Sequence, residues 1–134
     1  MSQKIPAGLV PIQATTDFEV YASAARTAAP TLIDLDNYSG KGIVVVTDIT
    51  VNAGASAAIT VTIEGLDGTS GKYYTILAAA AKTAVATTTL KVAPGLPVSA
   101  NVSANDFIPR KFRVKVTHAD TNPITYSIGA SLVP

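Results

Sequence analysis

The residues able to do chemistry are few and widely spaced. The single histidine, His118, lies two residues before Asp120, a spacing at which a carboxylate could orient an imidazole as a general base. No nucleophile is tied to that pair by a recognisable motif, and acid–base work needs a partner held within hydrogen-bond reach. His118 is therefore read as a strand-end residue approaching a turn. One histidine and no cysteine leave only carboxylates for a metal. Asp34 and Asp36, in Leu32-Ile33-Asp34-Leu35-Asp36-Asn37, could bind calcium or share a proton. The chain has no calcium loop with ligands at successive odd positions and a closing glutamate. Both aspartates are read as the solvated face of a strand whose other face is Ile33 and Leu35.

Arg110, Lys111, Arg113 and Lys115 form the one basic cluster. On a strand, Lys111, Arg113 and Lys115 share a face, a stripe that could meet phosphates or an acidic protein surface. Binding of single-stranded nucleic acid normally adds exposed aromatics for base stacking, and the neighbouring Phe112 points to the opposite side. The stripe is read as solvated, or as an interface with protein, and lysines on an edge strand also resist unwanted pairing. No phosphate-cradling glycine loop, GxSxG elbow or HExxH helix occurs. The expectation is a protein with no catalytic, cofactor or metal residues and no small-molecule substrate.

The elements that hold these residues are strands. Ile59-Thr60-Val61-Thr62-Ile63-Glu64, Phe112-Arg113-Val114-Lys115-Val116-Thr117 and Ile124-Thr125-Tyr126-Ser127-Ile128 alternate apolar and polar residues with period two. Successive side chains of a strand point to opposite faces, so each segment reads as a half-buried strand. Their β-branched and aromatic content suits a pleated surface. The run Ile43-Val44-Val45-Val46, continuing to Val51, predicts a central strand buried on both faces. Tyr73 to Leu77 and Thr88 to Val92 predict two more strands. Asn52-Ala53-Gly54-Ala55-Ser56, Gly65 to Gly71, Pro94-Gly95-Leu96-Pro97 and Asp120-Thr121-Asn122-Pro123 supply turns. In Leu77-Ala78-Ala79-Ala80-Ala81-Lys82-Thr83-Ala84 alanine favours a helical turn, but the threonine-rich flanks favour strand ends joined by a small-residue loop.

The composition agrees with one domain that works by contact. Hydrophobic residues make up 48% of the 134 and charged residues 14%, against about a quarter charged in an ordinary soluble domain. The apolar residues come in short runs, none near the roughly 20 that a spanning helix needs. Net charge is +1, which gives no general attraction to nucleic acid or acidic lipid. The first residues lack the long apolar stretch of a secretory signal, so synthesis and assembly in a cytosol are expected. Residues 1–17 read differently from the rest. Ile5-Pro6 and Val10-Pro11 favour extended backbone, and Ile5, Leu9, Val10 and Ile12 are apolar where a solvated tail would be polar. Ile5, Pro6, Leu9, Val10, Pro11 and Ile12 are the candidate docking arm. The reading is all-β: one antiparallel β-sandwich over residues 18–134, of about seven to nine strands, jelly-roll or immunoglobulin-like, with an extended arm at 1–17.

From Tyr38 onward the pattern resembles small virion proteins of tailed bacteriophages. The residues that carry it are Tyr38-Ser39-Gly40-Lys41-Gly42-Ile43-Val44-Val45-Val46, Ile63-Glu64-Gly65-Leu66-Asp67 with Ser70-Gly71-Lys72-Tyr73-Tyr74, Pro109-Arg110-Lys111-Phe112-Arg113-Val114, Val116-Thr117-His118, and Tyr126-Ser127-Ile128-Gly129-Ala130. It covers about the last two-thirds of the chain and is most similar to head decoration, or cement, proteins. The resemblance implies a β-sandwich, a homo-oligomer (often a trimer), the major capsid protein as partner and a place on the capsid surface of the virion. It brings no catalytic residues. Two other roles stay open: a tail, connector or head-fibre component, and a carbohydrate-binding module using Tyr21, Tyr38, Tyr73, Tyr74 and Tyr126.

Overall fold

A computed structural model describes residues 16–38, 40–52 and 57–134. Among them are nine strands and no helix: β1 (Thr16–Arg26), β2 (Leu35–Asp36), β3 (Gly42–Val51), β4 (Ile59–Leu66), β5 (Tyr73–Ala78), β6 (Thr87–Val92), β7 (Ser103–Ala104), β8 (Lys111–His118) and β9 (Ile124–Val133). The strands form two sheets, in the orders β1-β9-β3-β6-β7 and β2-β8-β4-β5. All pairs are antiparallel except the two-residue β6·β7 contact. The pairs β1·β9, β2·β8, β3·β6 and β4·β5 are nested, the outermost strands together and the β4–β5 hairpin innermost. One long antiparallel ribbon folded over on itself distributes its strands in this way, which is the jelly-roll route to a sandwich. The sandwich expected from the alternation is therefore a jelly roll, and the immunoglobulin-like option is set aside.

Period-two patterning becomes the core. On β9 the side chains of Ile124, Tyr126, Ile128, Ala130 and Leu132 are buried while the residues between them are partly exposed. Phe112, Val114 and Val116 on β8 and Ile59, Val61 and Ile63 on β4 do the same from the other sheet. Each large aliphatic or aromatic side chain taken fully out of water contributes about 1.5–3 kcal/mol, set against the entropy lost in ordering the chain. The alanine stretch after Leu77 forms no helix. Lys82 instead bridges to Ile59, exchanging backbone bonds of 2.8 and 3.1 Å.

Four local expectations are corrected. β3 alternates: Ile43, Val45, Thr47 and Ile49 are buried, whereas Val44 and Val46 are only half-buried. Two layers cover one face of each sheet, and no third layer lies over Val44 and Val46 among the described residues. Leu32 and Ile33 are exposed and lie outside any strand, since β2 holds only Leu35 and Asp36. Gly65 is a strand residue rather than part of the following turn. A side chain there would come within 2.7 Å of the Tyr74 ring and 2.8 Å of Pro109. Finally, β1 is a full edge strand that the alternation conceals. Register shifts between Glu19 and Tyr21 and between Tyr21 and Ala24 break its period.

Two polar side chains knit the sheets and loops. Tyr21, buried on β1, donates its hydroxyl to the Val114 carbonyl at 2.8 Å. Asn37 N donates to the Arg110 carbonyl, so the Arg110, Phe112 and Val114 carbonyls face the β2 side. β2 pairs only with Lys111 and Phe112, and the Val114 carbonyl is left beyond its end. The Tyr21 hydroxyl satisfies it from the other sheet. Asn37 is also buried, and its amide donates to the Ile108 and Gly40 carbonyls, both at 2.9 Å, and accepts from Gly40 N at 2.8 Å. Replacing Tyr21 with Phe leaves the Val114 carbonyl buried and unpaired, so urea denaturation should report a loss of about 1–3 kcal/mol. An unchanged midpoint would mean that solvent reaches that carbonyl.

Candidate functional site

His118 ends β8, and its Nε2 is hydrogen-bonded to the Tyr126 hydroxyl at 2.8 Å, with the two rings tilted at a centroid distance of 5.7 Å. Tyr126 is fully buried, and burial pushes its hydroxyl up to about 12. Burial lowers the His118 pKa below its ordinary value, the Arg26 charge lowers it further, and Asp120 acts in the opposite sense. Asp120 spends its carboxylate on the turn: Oδ1 accepts from Asn122 N at 3.0 Å and Oδ2 from the Asn122 amide at 3.1 Å. The orienting partner that general-base chemistry would need is thus a tyrosine in the core, not the aspartate suggested by spacing.

The aspartates and the basic stripe meet on the outer face of the β2-β8-β4-β5 sheet. Asp36 opposes Lys111 across β2·β8, and Lys111 Nζ lies 2.7 Å from its carboxylate. That contact holds the Asp36 carboxyl below its ordinary range. Glu64 opposes Arg113 across β4·β8, with Nε at 2.7 Å from Oε1 and both side chains largely shielded. The Arg113 guanidinium also lies 3.5 Å from the centre of the Tyr73 ring. The Tyr73 hydroxyl donates to Asp34, which raises the Tyr73 pKa. Lys111, Arg113 and Lys115 do share one face, as expected, but Lys111 and Arg113 are neutralised within their own sheet. Among the described residues Lys115 has no ion pair. No group of three or more metal-ligating side chains occurs among the described residues.

The exposed aromatic surface lies elsewhere. Tyr38 is 76% exposed, Phe107 72% and Tyr74 47%. All three belong to one end of the sandwich. Tyr38 follows β2 and lies 4.3 Å from the Arg110 guanidinium. Phe107 precedes β8 within the segment whose buried Ile108 closes the core, and Tyr74 covers Gly65 beside Pro109. β1 begins at this end too, because Thr16 pairs with Leu132 and Gly42 with Val133. A hollow of about 340 Å³ lies at the same end, lined mostly by apolar residues that include Val44, Pro94, Leu96 and Val133. Sequence reading missed Phe107, which sits in no alternating run. The only available signal was a large aromatic between Asp106 and Ile108, two residues before Pro109. Of the five tyrosines weighed for glycan stacking, Tyr21 and Tyr126 are core residues. The arm residues Ile5, Pro6, Leu9, Val10, Pro11 and Ile12 lie outside the described residues.

No protein-family model matches the chain, and no curated protein matches it. A solved structure described as "Bacillus endospore appendages form a novel family of disulfide-linked pili" aligns with it at a TM-score of 0.46 and 10% identity, over 98% of each chain.

The histidine provides a direct check on this geometry. Its pKa is depressed from 6.5 in the folded state, so its contribution to stability is intact above pH 6.5. As pH falls below that value the unfolded chain takes the proton first, and stability declines until the folded-state pKa is reached. Proton NMR of the single imidazole should give a midpoint below 6.5, and denaturation just under that pH should show the matching decline. A midpoint at or above 6.5 would contradict the burial of the His118 ring and the nearness of the Arg26 charge.

Proposed function

We propose that this chain is a capsid decoration protein of a tailed bacteriophage, which binds the outer surface of the major capsid protein shell and stabilises it by contact, without catalysis. The observation that carries the reading is the concentration of Tyr38, Tyr74 and Phe107 at the end of the sandwich where the chain enters β1. Aromatic residues and arginine are enriched in the energetic centres of protein interfaces, and Arg110 lies beside Tyr38 in this patch. The apolar segment that precedes Thr16 in the chain joins the sandwich at the same end, so segment and patch can engage one surface together. Many copies on a lattice turn weak single contacts into firm attachment through avidity. The electrostatics support the same division of labour. The paired side chains of the β2-β8-β4-β5 sheet serve the sandwich itself and leave binding to the aromatic end. The sequence resemblance to cement proteins supplies the choice of partner.

Two variants test this with expanded capsids. Deleting residues 1–12 should leave thermal unfolding of the sandwich unchanged and abolish capsid occupancy in a sedimentation assay. The triple variant Tyr38→Ser, Tyr74→Ser, Phe107→Ser should bind at least about tenfold more weakly, a loss of about 1.4 kcal/mol or more. Full occupancy by both variants would sink the reading, and decoration of a tail rather than the head in labelled particles would move it to another virion position.

A further inference from the structure

β8 runs from Lys111 to His118, but on the side away from β4 only Lys111 and Phe112 are paired, by β2. The backbone groups of a strand point alternately to its two sides. Ala119 N donates to the Ala58 carbonyl on the β4 side, so Thr117 and Lys115 also face β4, while Val116 and Val114 face away. The Val114 carbonyl accepts the Tyr21 hydroxyl. Next in that row are the N–H and C=O of Val116, and among the described residues no strand lies against them. A shallow hollow of about 450 Å³ runs beside them, lined by residues 115–118 of β8, by residues 27–29 after β1, and by Asp120 and Thr121. No backbone hydrogen bond crosses the hollow from residues 27–29 to β8.

We propose that the free half of the β8 edge takes up an extended, acidic segment of another protein as an added strand, with a carboxylate of that segment paired to Lys115. This edge lies at the far end of β8 from the aromatic patch, and its use goes beyond the capsid-docking reading. An unpaired row of backbone donors and acceptors is a template for strand addition, in which main-chain bonds give affinity and alternate side chains give specificity. The charge comes from the pattern of the sheet. Arg113 takes its carboxylate from Glu64, across β4·β8, and Lys111 takes its own from Asp36, across β2·β8. Lys115 faces Thr62 on β4 and, on the other side, the place where no strand lies. It has no ion pair among the described residues. A residue of an added strand directly opposite would stand about 5 Å from it, close enough for a cross-strand pair.

The same chemistry argues against an occupant drawn from this chain, whether the same copy or a second one. Residues 1–16 contain no aspartate or glutamate, and Pro6 and Pro11 would each remove a donor from a ladder. Among the described edge strands of a second copy, β5 and β6 carry no carboxylate, and β8 would bring another lysine. β2 and β7 are two residues long, and Asp36 of β2 is already paired with Lys111. β1 does carry Asp17 and Glu19, but its two register shifts interrupt the regular run that a new ladder needs. Asp120 also lines the hollow, and its carboxylate is held by Asn122 in the turn.

The test needs no capsid, so its failure is separable from failure of the decoration reading. In hydrogen exchange followed by NMR on the full chain, the Val116 amide should exchange faster than those of Lys115 and Thr117, which face β4. A capped six-residue peptide of alternating valine and threonine with one central glutamate is then titrated in. It should slow exchange at Val116 and shift the resonances of residues 114–118. The same peptide with lysine for glutamate should bind about three- to tenfold more weakly. Lys115→Glu should reverse that preference and Lys115→Gln should abolish it. Equal binding of the two peptides to the unaltered chain, no binding of either at millimolar concentration, or shifts confined to another edge would overturn the proposal. So would a Val116 amide already protected in the free chain. Protection lost on deleting residues 1–12 would assign the edge to the chain's own segment, and protection lost on dilution to one copy would assign it to a second copy.

Discussion

The described sandwich is positioned by the contact between two inward-facing rows of side chains. One is Ile124, Tyr126, Ile128, Ala130 and Leu132 on β9, and the other is Phe112, Val114 and Val116 on β8. Only seven residues separate the end of the first row from the start of the next along the chain, yet they belong to different sheets. The Tyr126–His118 bond and the Tyr21–Val114 bond both cross between those sheets. Apolar burial supplies the driving force because it is large and non-directional. The crossing hydrogen bonds contribute less net free energy, but leaving their partners unpaired in the interior would be costly. The rows therefore set how tightly the sheets approach, and the tyrosines fix which residues face one another.

Closing the core determines what remains for the surface to do. The titratable groups that looked capable of chemistry are held by neighbours: His118 by Tyr126, Asp120 by its turn, Asp34 by Tyr73, Asp36 by Lys111 and Glu64 by Arg113. Exposed ion pairs of the Asp36–Lys111 kind contribute little to stability. Their consequence is to neutralise two of the three charges of the basic stripe. The aromatic residues left exposed gather instead at the end where β1 begins and the segment around Ile108 closes the core. An end of a sandwich is assembled from loops, which can carry large apolar side chains without disturbing strand pairing.

How much was legible depended on how local the cause was. The strands holding Ile59 to Ile63, Phe112 to Val116 and Ile124 to Ile128 were readable because alternation is a property of a few neighbouring residues. The loop nature of the alanine stretch was readable from its flanks. β1 was not, because its two register shifts break the period. Nor was the half-exposure of Val44 and Val46, since a run of valines has no period and only the number of layers decides whether its second face is covered. The ion pairs of the stripe were hidden for a similar reason. Glu64 and Arg113 are 49 residues apart and meet only because β4 pairs with β8 in one register.

The sequence by itself determined that this is an all-β chain, which residues face inward on its best-patterned strands, and that Lys111, Arg113 and Lys115 share a face. Side-chain direction along a strand follows from backbone geometry alone. The tertiary structure decided the nested order that makes the sandwich a jelly roll, the exchange of Asp120 for Tyr126 as the partner of His118, and the gathering of Tyr38, Tyr74 and Phe107 at one end. Those outcomes join residues far apart in the chain. They are chosen by which closure buries the inward rows most completely, and no short stretch of residues encodes that choice.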